Sequence, residues 1–358
     1  MRNILFYCNI KIKTEMLKSK FNFLKEFFYK HERRLGFGFL VGGFVFDNLT
    51  LKSVDILFDN LILLFYLVVV AVGIVIFSLP SQKYKGFVSY AMQFAFGGLF
   101  SGFLVFYSRS GSLIVSLPFL LILAVFLIGN EFFKERYELF NFHLAVFFVA
   151  VYSYSIFFLP VVLRRLGADV FILSGFVSLG VIILLFYLIK KISPKKIAGH
   201  GKLNVATITG IYFLFNFLYF SNIIPPIPLS MKEVGIYRGV ERVDGNYILN
   251  GENRKWYEFW HKNKFHFELG EPVYAYTAIF APTKIESQIF HRWSFYDEKN
   301  GKWIESIKIG FPILGGRDGG YRGYSVKESI FSGKWRVDVI TGRGQIVGRI
   351  NFEIIFPK

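Results

Sequence analysis

Cysteine is almost absent, with one, Cys8, in 358 residues. No intrachain disulfide can form, and a zinc site of the cysteine type is excluded. Histidine is scarce as well: His31, His143, His200, His261, His266 and His291 are the whole set, and no two stand four residues apart. Neither H-E-x-x-H nor C-x-x-C occurs, so a metal site read from spacing is excluded. Acids number only 25 against 42 Lys+Arg, and charged residues make up 19% of the chain. Ordinary soluble domains carry about a quarter. What replaces charge is apolar bulk: 53% hydrophobic residues, 45 of the total being Phe. A disordered chain and a single soluble domain are both excluded. No reaction centre is visible, and no cofactor is implied.

The apolar excess is uneven. Residues 1–222 hold 22 Lys+Arg and 10 Asp+Glu, whereas residues 223–358 hold 20 and 15. The first part contains runs long enough for the ~30 Å hydrocarbon core, which takes about 20 helical residues: 56–79, 87–107, 113–130, 139–163, 170–189 and 205–220. A seventh, 35–51, is shorter. It carries Gly38 and Gly42 as a G-x-x-x-G pair, and Gly98 and Gly102 form another. Such pairs suit close helix contact, within the chain or between copies. The expectation is a bundle of about seven transmembrane helices over residues 35–222.

Basic residues give the orientation. Nine lie before residue 35, and Lys83, Lys85, Lys134, Arg136, Lys190, Lys191, Lys195, Lys196 and Lys202 fall in alternate loops. The remaining loops hold only Lys52, Arg109, Arg164 and Arg165. This bias places the N-terminus in the cytoplasm of a multi-pass inner-membrane protein, and seven spans place the C-terminal part outside. Within residues 1–34, Ile12, Met16, Leu17, Phe21, Leu24, Phe27 and Phe28 recur at helical spacing among lysines. The pattern predicts a basic amphipathic helix on an anionic leaflet. Its aromatics face the membrane, which argues against nucleic acid as a partner.

Pro225, Pro226 and Pro228 end the last helix, and residues 223–262 read as a linker. Beyond it, alternation and glycine punctuation predict strands at 264–268, 273–281, 288–295, 303–308, 323–327, 334–340 and 346–355. Seven short strands read as an immunoglobulin-like antiparallel sandwich over residues 263–358. The last two form a hairpin through Gly342-Arg343-Gly344.

Six blocks in this part carry a likeness: Pro272-Val273-Tyr274-Ala275-Tyr276-Thr277-Ala278, His291-Arg292-Trp293, Gly315-Gly316-Arg317 with Gly320-Tyr321-Arg322, Ser325-x-Lys327, Gly333-Lys334-Trp335-Arg336-Val337-Asp338-Val339 and Gly344-Gln345-x-x-Gly348. Together they resemble the bacterial family called domain of unknown function 2914, over residues 271–356. Phe46-Asp47-x-Leu49-Thr50-Leu51 followed by Asp55 resembles the multi-span region that often precedes that domain. The resemblance implies a bacterial integral membrane protein with a C-terminal β-domain, and no activity.

Two readings of function follow. In the first, the outer domain recognises an envelope protein, glycan or anionic ligand through Trp293, Trp303, His291, Arg317, Arg322 and Lys327. Guanidinium groups beside flexible glycine amides suit carboxylate or phosphate, although the glycine run also reads as a plain turn. In the second, Asp47, Asp55 and Asp59, at the outer end of the first helical hairpin, handle a cation or proton in a small transporter or membrane enzyme. The plainer role for these acids is helix-end capping.

Overall fold

A computed structural model of the chain describes residues 42–51, 56–79, 85–110, 113–132, 140–194, 201–226, 228–244, 246–251, 264–268, 270–282, 286–316 and 319–355. Its first part is helical: α1 (residues 42–50), α2 (Leu57–Ser78), α3 (Lys85–Arg109), α4 (Leu113–Phe132), α5 (Phe140–Leu163), α6 (Ala168–Ile192) and α7 (Gly201–Phe220). Five of these, α2, α3, α5, α6 and α7, are long and apolar enough to cross a membrane. Helix α4 contains Pro118, and its described apolar stretch is shorter, Val115–Gly129. The described part of the expected 35–51 span is α1, whose nine residues rise only about 14 Å. The basic segment before residue 35, Gly38 and Asp55 lie outside the described residues.

The most enclosed helix is α5, buried along most of its length. Two of its polar groups are answered from neighbouring helices. Tyr107 Oη donates to the Ser153 carbonyl at 2.9 Å, and Ser178 Oγ donates to Ser155 Oγ at 3.2 Å. A hydroxyl left unsatisfied in apolar surroundings is costly, so each bond fixes helix rotation as well as contact. The outward faces are apolar: Phe65 and Val68 on α2, Ile183 and Tyr187 on α6, and Phe213 and Phe217 on α7 are exposed. An apolar surface this extensive is unstable in water and stable in lipid.

Gly98 and Gly102 make their close contact inside the chain. A Cβ at Gly98 would stand 2.6 Å from the Tyr66 ring, and one at Gly102 would stand 2.9 Å from Leu63. The pair therefore packs α3 onto α2. Nothing lies within 4 Å of a Cβ at Gly42.

The second part is β-rich. It begins at Ser230, inside the stretch read from sequence as linker, with β1 (Ser230–Tyr237), β2 (Gly239–Val243) and β3 (Asn246–Asn250). The seven expected strands follow as β4 (Lys264–His266), β5 (Val273–Phe280), β6 (Glu286–Asp297), β7 (Lys302–Leu314), β8 (Tyr321–Lys327), β9 (Gly333–Thr341) and β10 (Ile346–Ile355). Strands β4-β10-β9-β6-β7 form one sheet, β1-β5-β8 a second, and β2-β3 a hairpin. All pairings are antiparallel except β4 with β10. The two larger sheets share a core in which Ile236 and Ala275 from one meet Trp293, Trp335, Val337 and Phe352 from the other.

Candidate anion-binding face of the five-stranded sheet

Alternation along β6 and β9 separates two polar groups of residues, one between the sheets and one on the outside. Between the sheets, His291 Nδ1 lies 2.8 Å from Ser325 Oγ and Nε2 lies 3.0 Å from Thr277 Oγ1. Trp293 Nε1 donates to Ser325 Oγ at 2.9 Å, and Thr277 Oγ1 donates to the Gly323 carbonyl at 3.4 Å. One assignment satisfies every group. The indole N–H donates to Ser325, whose hydroxyl donates to Nδ1; the proton on Nε2 then goes to Thr277, whose hydroxyl donates to Gly323. This requires a neutral imidazole, and burial does lower the His291 pKa to about 4.

His291 and Trp293 are both fully buried. Their expected place on a recognition surface is therefore overturned. A two-residue period puts them on the inner face of β6, where they join the sheets. The blocks His291-Arg292-Trp293, Ser325-x-Lys327 and Thr277 meet in this one network.

Arg292, between them in sequence, points the other way. Its Nη2 donates to Asp338 Oδ2 at 2.8 Å. Arg349 donates to the same carboxylate twice, from Nε to Oδ1 at 2.5 Å and from Nη2 to Oδ2 at 3.2 Å. Arg336 Nε stands 3.5 Å from Oδ2. The register explains the convergence: Asp338 is directly opposite Arg292 on β6 and Arg349 on β10, and Arg336 precedes it by one period on β9. Burial raises the Asp338 pKa, but the hydrogen bonds from Arg349 and Arg292 and the charges of Arg349 and Arg336 outweigh it, so the net shift is downward. Arg336 loses some basicity, through burial first and then through repulsion from Arg349 and Arg292.

Three guanidiniums share one carboxylate, leaving two positive charges unbalanced. Arg292 Nε and Arg336 Nε have no hydrogen-bond partner among the described residues. Lys308 on β7 stands opposite Arg292 and adds a fourth cation, with Glu305, opposite Ser294 beyond a bulge, as the nearest counter-charge on that strand. Lys308, Arg292, Asp338 and Arg349 thus form a row across four adjacent strands, about 14 Å long at about 4.8 Å per strand. Beside the row, the Arg336 guanidinium lies 4.5 Å above the Trp303 ring, and Trp303 packs against Tyr296 at 5.3 Å.

Of the other sequence candidates, Trp303 is half-buried and borders this face, whereas Lys327 lies over the Trp335 ring at 5.9 Å. Arg322 is exposed, with its carbonyl 3.5 Å from Tyr247 Oη. Arg317 lies outside the described residues. The glycines around it are held by packing: a Cβ at Gly315 would sit 1.8 Å from the Pro282 carbonyl oxygen, and Gly320 has φ +80° with Ile279 backbone 2.9 Å away. Sequence reasoning passed over the Asp338 face because Arg336 and Asp338 looked like ordinary solvent-facing alternates. The usable signal was charge of opposite sign on three neighbouring strands, once their register is known.

At the helical end, Arg109 Nη1 donates to the Leu51 carbonyl at 2.7 Å, and Nη2 donates to the Asn48 carbonyl at 2.6 Å. Asp59 is buried and interacts electrostatically with Arg109. The expected acidic cluster therefore has a cation built into it, which fits a joint between α1, α2 and α3. Among the described residues no group of three His, Cys, Asp or Glu could hold a metal ion.

No curated protein matches the chain. Among solved structures it is similar to the Pseudomonas fluorescens alkylpurine DNA glycosylase AlkC bound to DNA containing an abasic site analog. That similarity amounts to 9% identity, 85% of this chain and 99% of the other, and a TM-score of 0.23, too low to imply a shared fold. Residues 286–354, which run from β6 into β10 and include Arg292, Arg336, Asp338 and Arg349, match the family model described as Protein of unknown function (DUF2914).

Proposed function

We propose that the chain is a multi-pass inner-membrane protein whose extracytoplasmic, immunoglobulin-like β-domain binds an acidic glycan of the cell envelope. The observation that carries this reading is the placement of Arg292, Arg336 and Arg349 around the single carboxylate of Asp338. A structural ion pair needs one cation per acid. Three cations on one acid leave charge for a ligand, and guanidinium binds carboxylate or phosphate in a fork. Trp303 beside the row supplies an aromatic surface for a sugar ring. The flat outer face of a sheet suits an extended polymer better than a small enclosed ligand, for which pockets are concave. The basic bias of alternate loops supports an N-terminus inside, and seven spans then put the domain outside.

The test is binding of a polygalacturonate, compared with a neutral dextran, by the full-length protein in non-ionic detergent. Lys308→Gln with Arg336→Gln removes two cations while leaving the closer Arg292 and Arg349 bonds to Asp338. The expected result is binding of the acidic polymer alone, weakened at least tenfold in the double variant and by added salt. Equal binding of dextran, or no loss in the variant, would overturn the reading.

A further inference from the structure

A second site lies where the β-domain meets the helix ends. A cleft of about 270 Å³ is walled on one side by Pro160, Leu166, Phe171 and Tyr219, and on the other by Gln288 and Arg343. One wall is apolar and helical; the other is polar and comes from strands. At this volume the cleft holds a headgroup or a short piece of chain, below the range of most drug-sized pockets.

The ends of three helices converge here. α5 ends at Leu163, α6 begins at Ala168 and α7 ends at Phe220. In a membrane, that is headgroup level. The β9–β10 turn reaches down to it: the Arg343 guanidinium lies 4.2 Å above the Tyr219 ring and 5.2 Å above Phe220. Tyr219 is in turn stacked on Phe171, with centroids 3.7 Å apart. The Arg343 side chain also hydrogen-bonds Tyr219, but its Nη1 is buried without a hydrogen-bond partner, and no ion pair to Arg343 occurs among the described residues. Arg164 and Arg165 stand in the adjoining loop, and among the described residues Asp169, paired to Arg165, is the acid in an ion pair with them. The local balance is therefore positive, against an apolar wall.

We infer that this cleft binds an anionic membrane lipid, its headgroup at Arg343 and its chain along the α5, α6 and α7 ends. A soluble anion has no use for the apolar wall, and a neutral lipid leaves the Arg343 charge without a counter-ion. A lipid held here also fastens the β-domain to the bundle, beside the bond from Gln345 Nε2 to the Ile224 carbonyl at 3.5 Å. This inference rests on the membrane reading above and is independent of the glycan face.

The experiment reconstitutes the full chain in nanodiscs of phosphatidylcholine with a minor share of phosphatidylglycerol and measures retained lipid by native mass spectrometry. Phosphatidylglycerol is expected to be retained about tenfold over phosphatidylcholine, with the preference lost in Arg343→Gln and kept in Arg343→Lys. Equal retention of the two lipids, or an undiminished preference in Arg343→Gln, would overturn it. So would protection of the site by inorganic phosphate but not by phosphatidylglycerol. Retention of the protein in membranes through an alkaline wash separates the two claims. If wild type and variants stay while the preference is missing, the lipid site fails alone; if they wash out, the membrane reading fails with it.

Discussion

His291 Nδ1 lies 2.8 Å from Ser325 Oγ, across the gap between the two sheets. Burial of the imidazole there makes the β-domain sensitive to acid in a definite direction. The pKa of His291 falls from 6.5 to about 4 on folding, so between those values the unfolded chain binds a proton that the folded one excludes. Stability is complete above about pH 6.5 and declines as pH falls towards 4, by about 3 kcal/mol in all. In His291→Leu the decline over that window should flatten. The variant should also be less stable at neutral pH, because Ser325 and Thr277 each lose a partner at about 1–3 kcal/mol. Melting temperature of the full chain against pH, for both proteins, checks this.

Asp338 tests the outer face from the other side. Removing the one carboxylate among three guanidiniums leaves half-buried like charges facing each other, and breaking such a buried arrangement costs about 3–5 kcal/mol. Asp338→Asn should therefore lower stability sharply, whereas Lys308→Gln, on the exposed edge of the same row, should leave it nearly unchanged. The wild-type contribution is present above the ordinary carboxylate pKa and is lost as pH falls through the lowered folded value. Chemical denaturation at pH 7 and near pH 3 distinguishes these outcomes, and equal stability of Asp338→Asn and wild type would refute the account.

The glycine run divides into positions that packing requires and positions it does not. Gly315→Ala drives a methyl into the Pro282 carbonyl oxygen, and Gly320→Ala adds a methyl against Ile279 backbone at positive φ. Each should cost more than 2 kcal/mol, roughly the level of strained backbone substitutions. A Cβ at Gly319 would meet only Arg322 Nη2 at 3.7 Å, an ordinary contact, so Gly319→Ala should be tolerated. Thermal melts of the three variants settle whether the run is held by shape. If Gly315→Ala melts with wild type, the turn is not the tight approach described.

Much of the fold was legible because its signals are local. Continuous apolar runs marked the long helices, and the alternation of Trp335, Val337 and Val339 against Arg336 and Asp338 marked β9 correctly. Strands β1 to β3 were missed because Lys232-Glu233 and Glu241-Arg242 dilute the apolar period, and edge position supplies what the sequence does not. The Asp244-Gly245 pair was the available hairpin signal, and Asp244 does take a positive φ of 50°. The candidate sites were less legible. Whether Trp293 or Arg292 faces outward depends on register, and the Arg292–Asp338–Arg349 row exists only once β6, β9 and β10 are aligned. Sequence spacing cannot report a contact between residues 46 apart.

Membrane sidedness gives the remaining prediction. Ser332 is exposed in the turn between β8 and β9, and Cys8 is the chain's single native thiol. In a Cys8→Ser, Ser332→Cys protein, an impermeant maleimide added to intact spheroplasts should label position 332 as fully before lysis as after it. The ground is the basic bias: nine Lys and Arg precede residue 35, and inverting them would carry those charges across the membrane against the usual insertion preference. Labelling only after lysis would mean six spans or an inverted chain. The arginine face would lie in the cytoplasm, and its acidic partner would have to be sought there.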